Sequence, residues 1–258
     1  MKIKSFFIIL GLFTVLLPGC TSGSEENTEV EEVPEEKLTL EERAHRQATA
    51  TLSIPRGEKY SLKIYKAHMN ADNFEDAIVT VNRLEYAIDR ASKSKNPSKL
   101  SELGYMGNYN HFFFYDGKLD KFSVPVVIPS SPKYELNIKF ENIQSEAYKD
   151  LTLEYRIINA SFRNFYVISG GTMQMAFQWK LFDYAGTDNP EANFIEYDKG
   201  TLTSAKDLLI YKGKIKDYSK DIGDYYTYKP EIEKTGELMY RFFYDPREMK
   251  YMTRSKPE

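Results

Sequence analysis

Cysteine and histidine are both scarce in this chain. Cys20 is the single cysteine among 258 residues, so no disulfide can form within the chain. The three histidines, His45, His68 and His111, show no spacing typical of a metal or catalytic site. The chain also lacks a Gly-x-Ser-x-Gly nucleophile motif, a glycine-rich phosphate loop and a His-Glu-x-x-His motif. These absences argue against the enzyme classes that such short motifs define.

An excess of basic residues is absent as well. The 35 lysines and arginines are nearly balanced by 38 aspartates and glutamates, and the net charge is −3. No stripe of arginines forms along the sequence, so we expect no binding to nucleic acid. Long apolar runs are limited to residues 5–17, and those thirteen residues are shorter than the roughly 20 that a membrane-spanning helix needs.

The first twenty residues have the pattern of an export signal. A basic start, Met1-Lys2-Ile3-Lys4, precedes the apolar run, which predicts a signal peptide over residues 1–19. Leu17-Pro18-Gly19-Cys20 resembles the lipobox of bacterial lipoproteins. The resemblance implies that the thiol of Cys20 receives a diacylglyceryl group, that Cys20 becomes the new N-terminus, and that the membrane is a partner. An ordinary signal peptide with an incidental cysteine is the alternative.

Residues 20–36 are predicted to be a lipidated cysteine followed by an acidic tether. Seven glutamates lie among the sixteen residues 21–36, without one basic or aromatic residue, so the segment cannot bury enough apolar surface to fold. Such acidic runs resemble the tags that send some Gram-negative lipoproteins to the cell surface; a charged spacer is the alternative. The expected location is the bacterial cell envelope, with the lipid anchor in the outer membrane and the domain on its periplasmic or cell-surface face.

The remaining residues, 37–258, are predicted to form a single β-rich domain. The 20 tyrosines and 16 phenylalanines favour strands. Helices are expected in two places, after the capping-box residue Thr39 and over residues 84–94. Asp116-Gly117 and Gly170-Gly171 are hairpin turn signals. The predicted strands begin at residue 60 and then cover 77–81, 111–115, 134–140, 151–158, 165–169, 173–182, 208–211 and 238–244. The fold class is therefore mainly β, with antiparallel hairpins and one or two short helices.

A faint repeat runs through this domain. Residues 75–83 and, later, an aromatic strand ending at Asp116-Gly117 resemble residues 149–157 followed by residues 164–172. Two degenerate copies of a β-hairpin unit explain the pattern; independent strands in one aromatic-rich chain are the alternative.

The loop and strand over residues 68–79, HMNADNFEDAIV, resemble a degenerate VCBS or FG-GAP repeat of the integrin-like type. The resemblance implies that Asn70, Asp72 and Asp76 are calcium ligands, since calcium prefers oxygen atoms spaced along a tight loop. His68 stands where the repeat has a carboxylate, and imidazole is a poor ligand for this hard cation. The alternative is a metal-free loop in which Asn70 and Asp72 accept backbone hydrogen bonds.

Two aromatic segments bear on function. Phe177, Trp179 and Leu181 alternate toward one face, as core residues do, while residues 242–251 mix rings with basic side chains and predict an exposed patch. We therefore expect a membrane-anchored protein whose β domain has a non-enzymatic binding or structural role, with a protein or glycan as partner. The alternative is a hydrolase of cell-wall or other polysaccharide, with a carboxylate pair that the sequence does not identify.

Overall fold

The computed structural model describes residues 38–96, 98–184, 190–216, 218–219 and 228–253, apart from the side chain of Ser101. The expected signal peptide, Cys20 and the acidic tether lie outside these residues. In chain order the elements are α1 (Leu40–Thr51), β1 (Ser61–Ala67), β2 (Asp76–Asn82), α2 (Leu84–Ser92), α3 (Ser98–Glu102), β3 (Gly107–Asp116), β4 (Lys121–Phe122), β5 (Val126–Ser130), β6 (Asn137–Glu141), β7 (Asp150–Ile157), β8 (Ala160–Ser169), β9 (Thr172–Asp183), β10 (Glu191–Asp198), β11 (Asp207–Ile215), β12 (Ile232–Asp245) and β13 (Lys250–Met252).

This element order confirms the mainly β fold with minor helix. The neighbouring strands of both sheets pair antiparallel. Three helices are present among the described residues, one more than the upper expectation, because α3 is a five-residue helix without a readable apolar period. Among the same residues, no helix has the length and apolar character needed to cross a membrane.

Helix α1 begins at the predicted capping box. The side chain of Thr39 accepts a hydrogen bond from the Glu42 N–H at 3.2 Å, and the Glu42 carboxylate accepts one from the Thr39 N–H at 2.8 Å. The buried side chains of Ala44 and Ala48 pack on the first sheet. Helix α1 therefore covers the outward face of that sheet.

The strands form a five-stranded and an eight-stranded sheet, and the eight-stranded sheet divides into two groups of four where β9 meets β10. We therefore describe three units of four antiparallel strands, the strand number of a propeller blade. The first unit is β1–β4, with β5 attached to β3; the second unit is β6–β9; the third unit is β10–β13. Only two residue pairs join the second unit to the third, between β9 and β10. The two segments of the faint sequence repeat fall in the first and second units, and the third unit has no counterpart in that pattern.

The units stack face to face through a constant register. The second strand of each unit begins with a buried aspartate: Asp76, Asp150 or Asp207. Side chains one and three positions after the aspartate face the preceding layer. In the first unit these are Ala77 and Val79, which face α1. In the second unit Leu151 and Leu153 face the first unit, and in the third unit Leu208 and Ile210 face the second unit. Side chains two and four positions after it point the other way, because successive residues of a strand alternate between its faces.

The first and third units end in matching hairpins. Residues 113–122, FFYDGKLDKF, and 242–251, FFYDPREMKY, have the same pairing register. The residues before Lys121 and Lys250, Asp120 and Met249, both have positive φ, 54° and 52°. The expectation of an exposed patch at 242–251 is wrong for its rings, since the strands bury Phe242, Tyr244 and Tyr251 between the second and third units.

Two further sequence predictions are confirmed by the packing. Gly170 and Gly171 have positive φ angles, 57° and 73°, and form the turn between β8 and β9. The rings of Phe177 and Trp179 are stacked with centroids 5.8 Å apart, and Trp179 packs against the core between the second and third units.

Candidate functional site

The loop that was predicted to bind calcium is held in place by Asp76. This carboxylate is fully buried and accepts hydrogen bonds from the N–H groups of Met69, at 3.1 Å, and Gly117, at 3.0 Å. Burial raises the pKa of Asp76, although both N–H groups act in the opposite direction. A Cβ atom on Gly117 would lie 2.2 Å from the carbonyl oxygen of Glu75, so this turn requires glycine. Asp76 thus ties its loop to the β3–β4 hairpin.

The other predicted ligands form hydrogen bonds inside the loop. The side-chain oxygen of Asn70 accepts from the Asp72 N–H at 2.8 Å, and a carboxylate oxygen of Asp72 accepts from the Phe74 N–H at 2.8 Å. Nδ1 of His68 is 3.0 Å from the carbonyl oxygen of Phe74. These are the contacts of the metal-free alternative.

No group of three or more histidine, cysteine, aspartate or glutamate side chains is arranged to hold a metal ion within the described ranges. Calcium usually takes six to eight oxygen ligands, whereas side-chain oxygens of Asn70 and Asp72 already accept hydrogen bonds from N–H groups of the loop. Calcium binding by Asn70, Asp72 and Asp76 stays an implication of the resemblance, and these hydrogen bonds favour the metal-free alternative.

In the other two units, too, a buried aspartate accepts hydrogen bonds from the loop that precedes it. Asp150 accepts hydrogen bonds from the N–H groups of Ile143, at 3.1 Å, and Gln144, at 2.7 Å. Asp207 accepts from the hydroxyl of Thr201 at 2.9 Å and from its N–H at 3.4 Å. Desolvation raises the pKa of Asp150 to about 6, against the effect of its two N–H donors. We call the segments 68–75, 142–149 and 199–206 the aspartate loops.

Positively charged side chains of the protein occupy the second and third aspartate loops. The ammonium of Lys149 donates to the side-chain oxygen of Asn142. The guanidinium of Arg241 pairs with Asp198 and, through Nε at 3.3 Å, with Asp207. Arg241 thus balances the charge of Asp198 and Asp207, whereas Lys149 contacts a neutral amide.

The opposite end of the domain carries a cleft built by residues 83–106, which connect β2 to β3 and contain α2 and α3. The corresponding connection in the second unit, between β7 and β8, is only Ile158 and Asn159. The cleft has a volume of about 620 Å³, within the usual range of ligand sites. We call it the helical cleft; it is lined by Arg83, Tyr86, Ala87, Arg90, Ala91, Ser94, Lys99, Glu102, Leu103, Tyr105, Met106, Gly107, Asn108, Tyr109 and Pro132.

A buried ion pair fixes the floor of the helical cleft. The Arg83 guanidinium donates to both carboxylate oxygens of Glu58, at 2.6 and 2.7 Å, and this contact raises the pKa of Arg83. The same guanidinium lies 4.3 Å from the ring centroid of Tyr86, and that ring meets Tyr109 edge-on at 6.3 Å. The N–H of Ile158 donates to the carbonyl of Gly104 at 2.9 Å, which fastens the connection to the second unit.

The rim of the cleft is open and cationic. Tyr105 and Met106 are 55% and 63% exposed. Lys99 pairs with Glu102, the single carboxylate of the lining, whereas the Arg90 side chain has no hydrogen bond or ion pair within the described part of the chain. Arg83 and Lys99 are ion-paired with Glu58 and Glu102, so Arg90 carries the uncompensated positive charge of this lining. That guanidinium favours a ligand that offers an anionic group or acceptor oxygens.

The sequence did not reveal this cleft. The helix predicted over residues 84–94 is confirmed by α2, whereas β3 begins at Gly107, before the start of the strand predicted over residues 111–115. The signal that was present is the cluster of Tyr86, Tyr105 and Tyr109 around a helical segment that carries Arg90.

A second cleft, of about 750 Å³, contains the carboxylates of Glu135 and Glu154. Lys63 pairs with Glu135 and lowers its pKa. Desolvation raises the pKa of Glu154, but Arg163 and Lys139 outweigh it, so the net shift is also downward. A general acid needs a raised pKa, so this pair does not suit glycoside hydrolysis.

Comparison with known proteins finds no match: no protein family, no curated protein and no solved structure is similar to this chain.

Proposed function

We propose that this chain is a lipid-anchored bacterial envelope lipoprotein whose β domain binds a glycan in the helical cleft without cleaving it. The anchor rests on the signal pattern and on the lipobox resemblance at Cys20. The observation that carries the binding function is the lining of the cleft, which combines three tyrosines with the guanidinium of Arg90, a cation that has no ion pair among the described residues. The other two cations of the lining, Arg83 and Lys99, are ion-paired. We also propose that the first unit is related to VCBS repeats, as residues 68–79 indicate, but this relationship does not identify a ligand.

The lining fits the two kinds of surface that a sugar presents. Tyrosine rings offer flat apolar faces for the C–H side of a sugar ring, at a low cost in conformational entropy. The guanidinium of Arg90 and the amide of Asn108 supply donors for hydroxyl and carboxyl oxygens. Because Glu58 holds Arg83 in place, and Arg83 lies against the ring of Tyr86, little ordering of these two side chains is needed on binding.

The position of the cleft also suits an anchored protein. Helix α1 begins beside the β3–β4 hairpin, where Arg43 pairs with Asp120 at 2.6 Å. It ends beside the cleft, where the Leu52 carbonyl accepts from Arg83 at 3.3 Å. The first residues of α1 and the helical cleft therefore lie near opposite ends of this helix.

The test is binding of a panel of neutral and uronate-containing oligosaccharides to residues 38–258, measured by calorimetry. We expect Arg90→Ala to weaken binding by about 10-fold or more, since a charge-assisted hydrogen bond contributes roughly 1.5–3 kcal/mol. Tyr105→Ala should also weaken binding, because it removes an exposed ring that can pack against a sugar. Arg247→Ala, which removes an exposed arginine from the β12–β13 hairpin, is the control and should bind as the parent does. Equal binding by all variants would contradict the assignment of the cleft.

The hydrolase alternative is tested on the same panel. We expect no new reducing ends, because the carboxylates of both clefts are ion-paired. Turnover that is lost in Glu154→Gln would favour the hydrolase and contradict a binding-only role.

The anchor is tested in the full chain. A lipidated cysteine incorporates radiolabelled fatty-acid precursors, and Cys20→Ser should abolish that labelling and release the protein from the membrane fraction or leave it uncleaved. Normal labelling of Cys20→Ser would overturn the lipoprotein assignment.

A further inference from the structure

The third unit has an outward face that no helix or sheet covers within the described part of the chain. Leu209 and Tyr211, two and four positions after Asp207, point away from the second unit, as the strand alternation requires. Tyr211 is partly exposed, whereas Leu209 is 8% exposed. The register places further apolar side chains on this third-unit face, namely Phe194, Leu238, Phe243 and Met252. Leu238 and Met252 are 38% and 48% exposed.

The equivalent faces of the other two units are buried. Ile78, two positions after Asp76, packs against Leu151 and Leu153 of the second unit. On the second unit, Phe165 pairs in register with Thr152, two positions after Asp150, and packs against Leu208 and Ile210 of the third unit. The third-unit face therefore continues a stacking interface that is used twice inside the chain.

The other end of the stack is closed. Helix α1 packs on Val79, Val81 and Phe113 of the first unit and turns exposed polar side chains, among them Glu41 and Arg46, to solvent. Repeated structures usually carry such a polar cap at each end. Here one end has its cap, and the third-unit face is the remaining open one among the described residues.

We propose that the third-unit face binds the same face of a second copy of this chain, forming a two-fold symmetric dimer. Since α1 blocks stacking at the first unit, copies cannot add head to tail, and a two-fold contact is the arrangement that closes. The proposal is independent of the glycan assignment, because the helical cleft lies in the first unit.

The charges on this face favour contact with an identical copy. Lys234 pairs with Glu196 and Arg241 pairs with Asp198, so these charged side chains are neutralised within one chain. Two copies then meet without repulsion between their charges. An acidic or basic partner would find no complementary charge here.

The third-unit face carries both exposed apolar side chains and a cavity that can accommodate such side chains. The ring of Tyr211, with the Lys234 ammonium 3.8 Å from its centroid, is a large and partly exposed contact surface. Toward the β12–β13 hairpin lies a cavity of about 540 Å³, lined in part by Leu202, Phe243 and Met252. In a two-fold contact each copy supplies exposed apolar side chains, such as Leu238, and a cavity that can receive them.

Sedimentation velocity of residues 38–258, which form one compact unit with its own core, tests the proposal. We expect a concentration-dependent dimer for the parent and a monomer for the double variant Leu238→Glu/Met252→Glu. The matched control is Met175→Glu, which charges a methionine of similar exposure, 46%, on the second unit and should remain dimeric. Unchanged circular dichroism and unfolding midpoints verify that the variants are folded. A parent that is monomeric at all concentrations, or a charged variant that still dimerises, overturns the proposal.

Cross-linking in the full chain gives a second readout. A Leu238→Cys variant treated in membranes with a short bismaleimide should yield a band of twice the chain mass, while Met175→Cys should not. The parent, with Cys20 as its single cysteine, sets the background. An exclusively monomeric Leu238→Cys, or a cross-linked band whose mass is not twice that of the chain, overturns self-association.

Discussion

The backbone N–H of Lys149 donates a hydrogen bond to the carbonyl oxygen of His68, 2.8 Å away. Lys206 makes the same bond to Ile143, also at 2.8 Å, one unit further along. In both pairs the donor is the residue before a buried aspartate, and the acceptor lies in the preceding aspartate loop. The three loops therefore form a chain of contacts along one end of the domain, and loss of one aspartate should affect its neighbours.

Asp150 should make stability fall as the pH rises through the acid range. Its native pKa is about 6, above the usual 3.8, so the native state holds this proton more tightly than the unfolded state. The contribution is fully present below pH 4 and is lost by pH 6 or above, an effect of about 3 kcal/mol in the unfolding free energy. The unfolding free energy of the parent minus that of Asp150→Asn, from urea titrations, should fall over this range.

Glu146→Gln, which changes an exposed side chain of the same loop, is the control for that experiment. A difference between parent and Asp150→Asn that is flat between pH 4 and 7 would contradict the raised pKa.

His111 should act in the opposite direction over a similar range. Burial, with the nearby Arg83 charge, lowers its pKa from 6.5 to about 4, so the native state excludes a proton that the unfolded state accepts. Stability from neutral His111 is present above pH 6.5 and is lost as the pH falls to 4, again an effect of about 3 kcal/mol. The parent minus His111→Gln difference in unfolding free energy should therefore rise with pH, and His45→Gln, on the surface of α1, is the control. A falling or constant difference refutes this assignment.

Gly117→Ala should destabilise the first unit. The added Cβ would lie 2.2 Å from the carbonyl oxygen of Glu75, and relief of that clash must move the hairpin away from Asp76. We expect a loss of roughly 2 kcal/mol or more in the unfolding free energy, measured by urea denaturation. Gly236→Ala, where a Cβ meets no atom within 4 Å, is the matched control and should change little. Equal effects of the two substitutions would show that the clash is not what matters.

Calcium should leave the unfolding midpoint unchanged. Asn70, Asp72 and Asp76 already accept hydrogen bonds from the N–H groups of the loop, so the native state offers few free ligands. The measurement is thermal unfolding of residues 38–258 in chelator and then in millimolar calcium, since a ligand of the native state raises the midpoint by mass action. A rise that disappears in Asp72→Ala would establish a functioning calcium site.

The sequence by itself determined the features that depend on neighbouring residues. The capping box at Thr39, the turn at Gly170-Gly171 and the inward face of Trp179 follow from side-chain chemistry and strand alternation within a few residues. The mainly β class follows from the many tyrosines and phenylalanines, because aromatic residues favour strands. Strand β5 escaped prediction because Pro129 argues against a strand, although a strand paired on one side only, as β5 is with β3, tolerates it.

The tertiary structure alone decided how these elements are combined. The segment that forms the helical cleft is fastened to the second unit by the hydrogen bond from the Ile158 N–H to the Gly104 carbonyl. Asp76 accepts a hydrogen bond from Gly117, which lies 41 residues further along the chain. The third unit became recognisable only through its stacking register, since its loop has none of the spacing that marks the first. Contacts between residues far apart in the chain are fixed by packing across layers, and no local pattern encodes that packing.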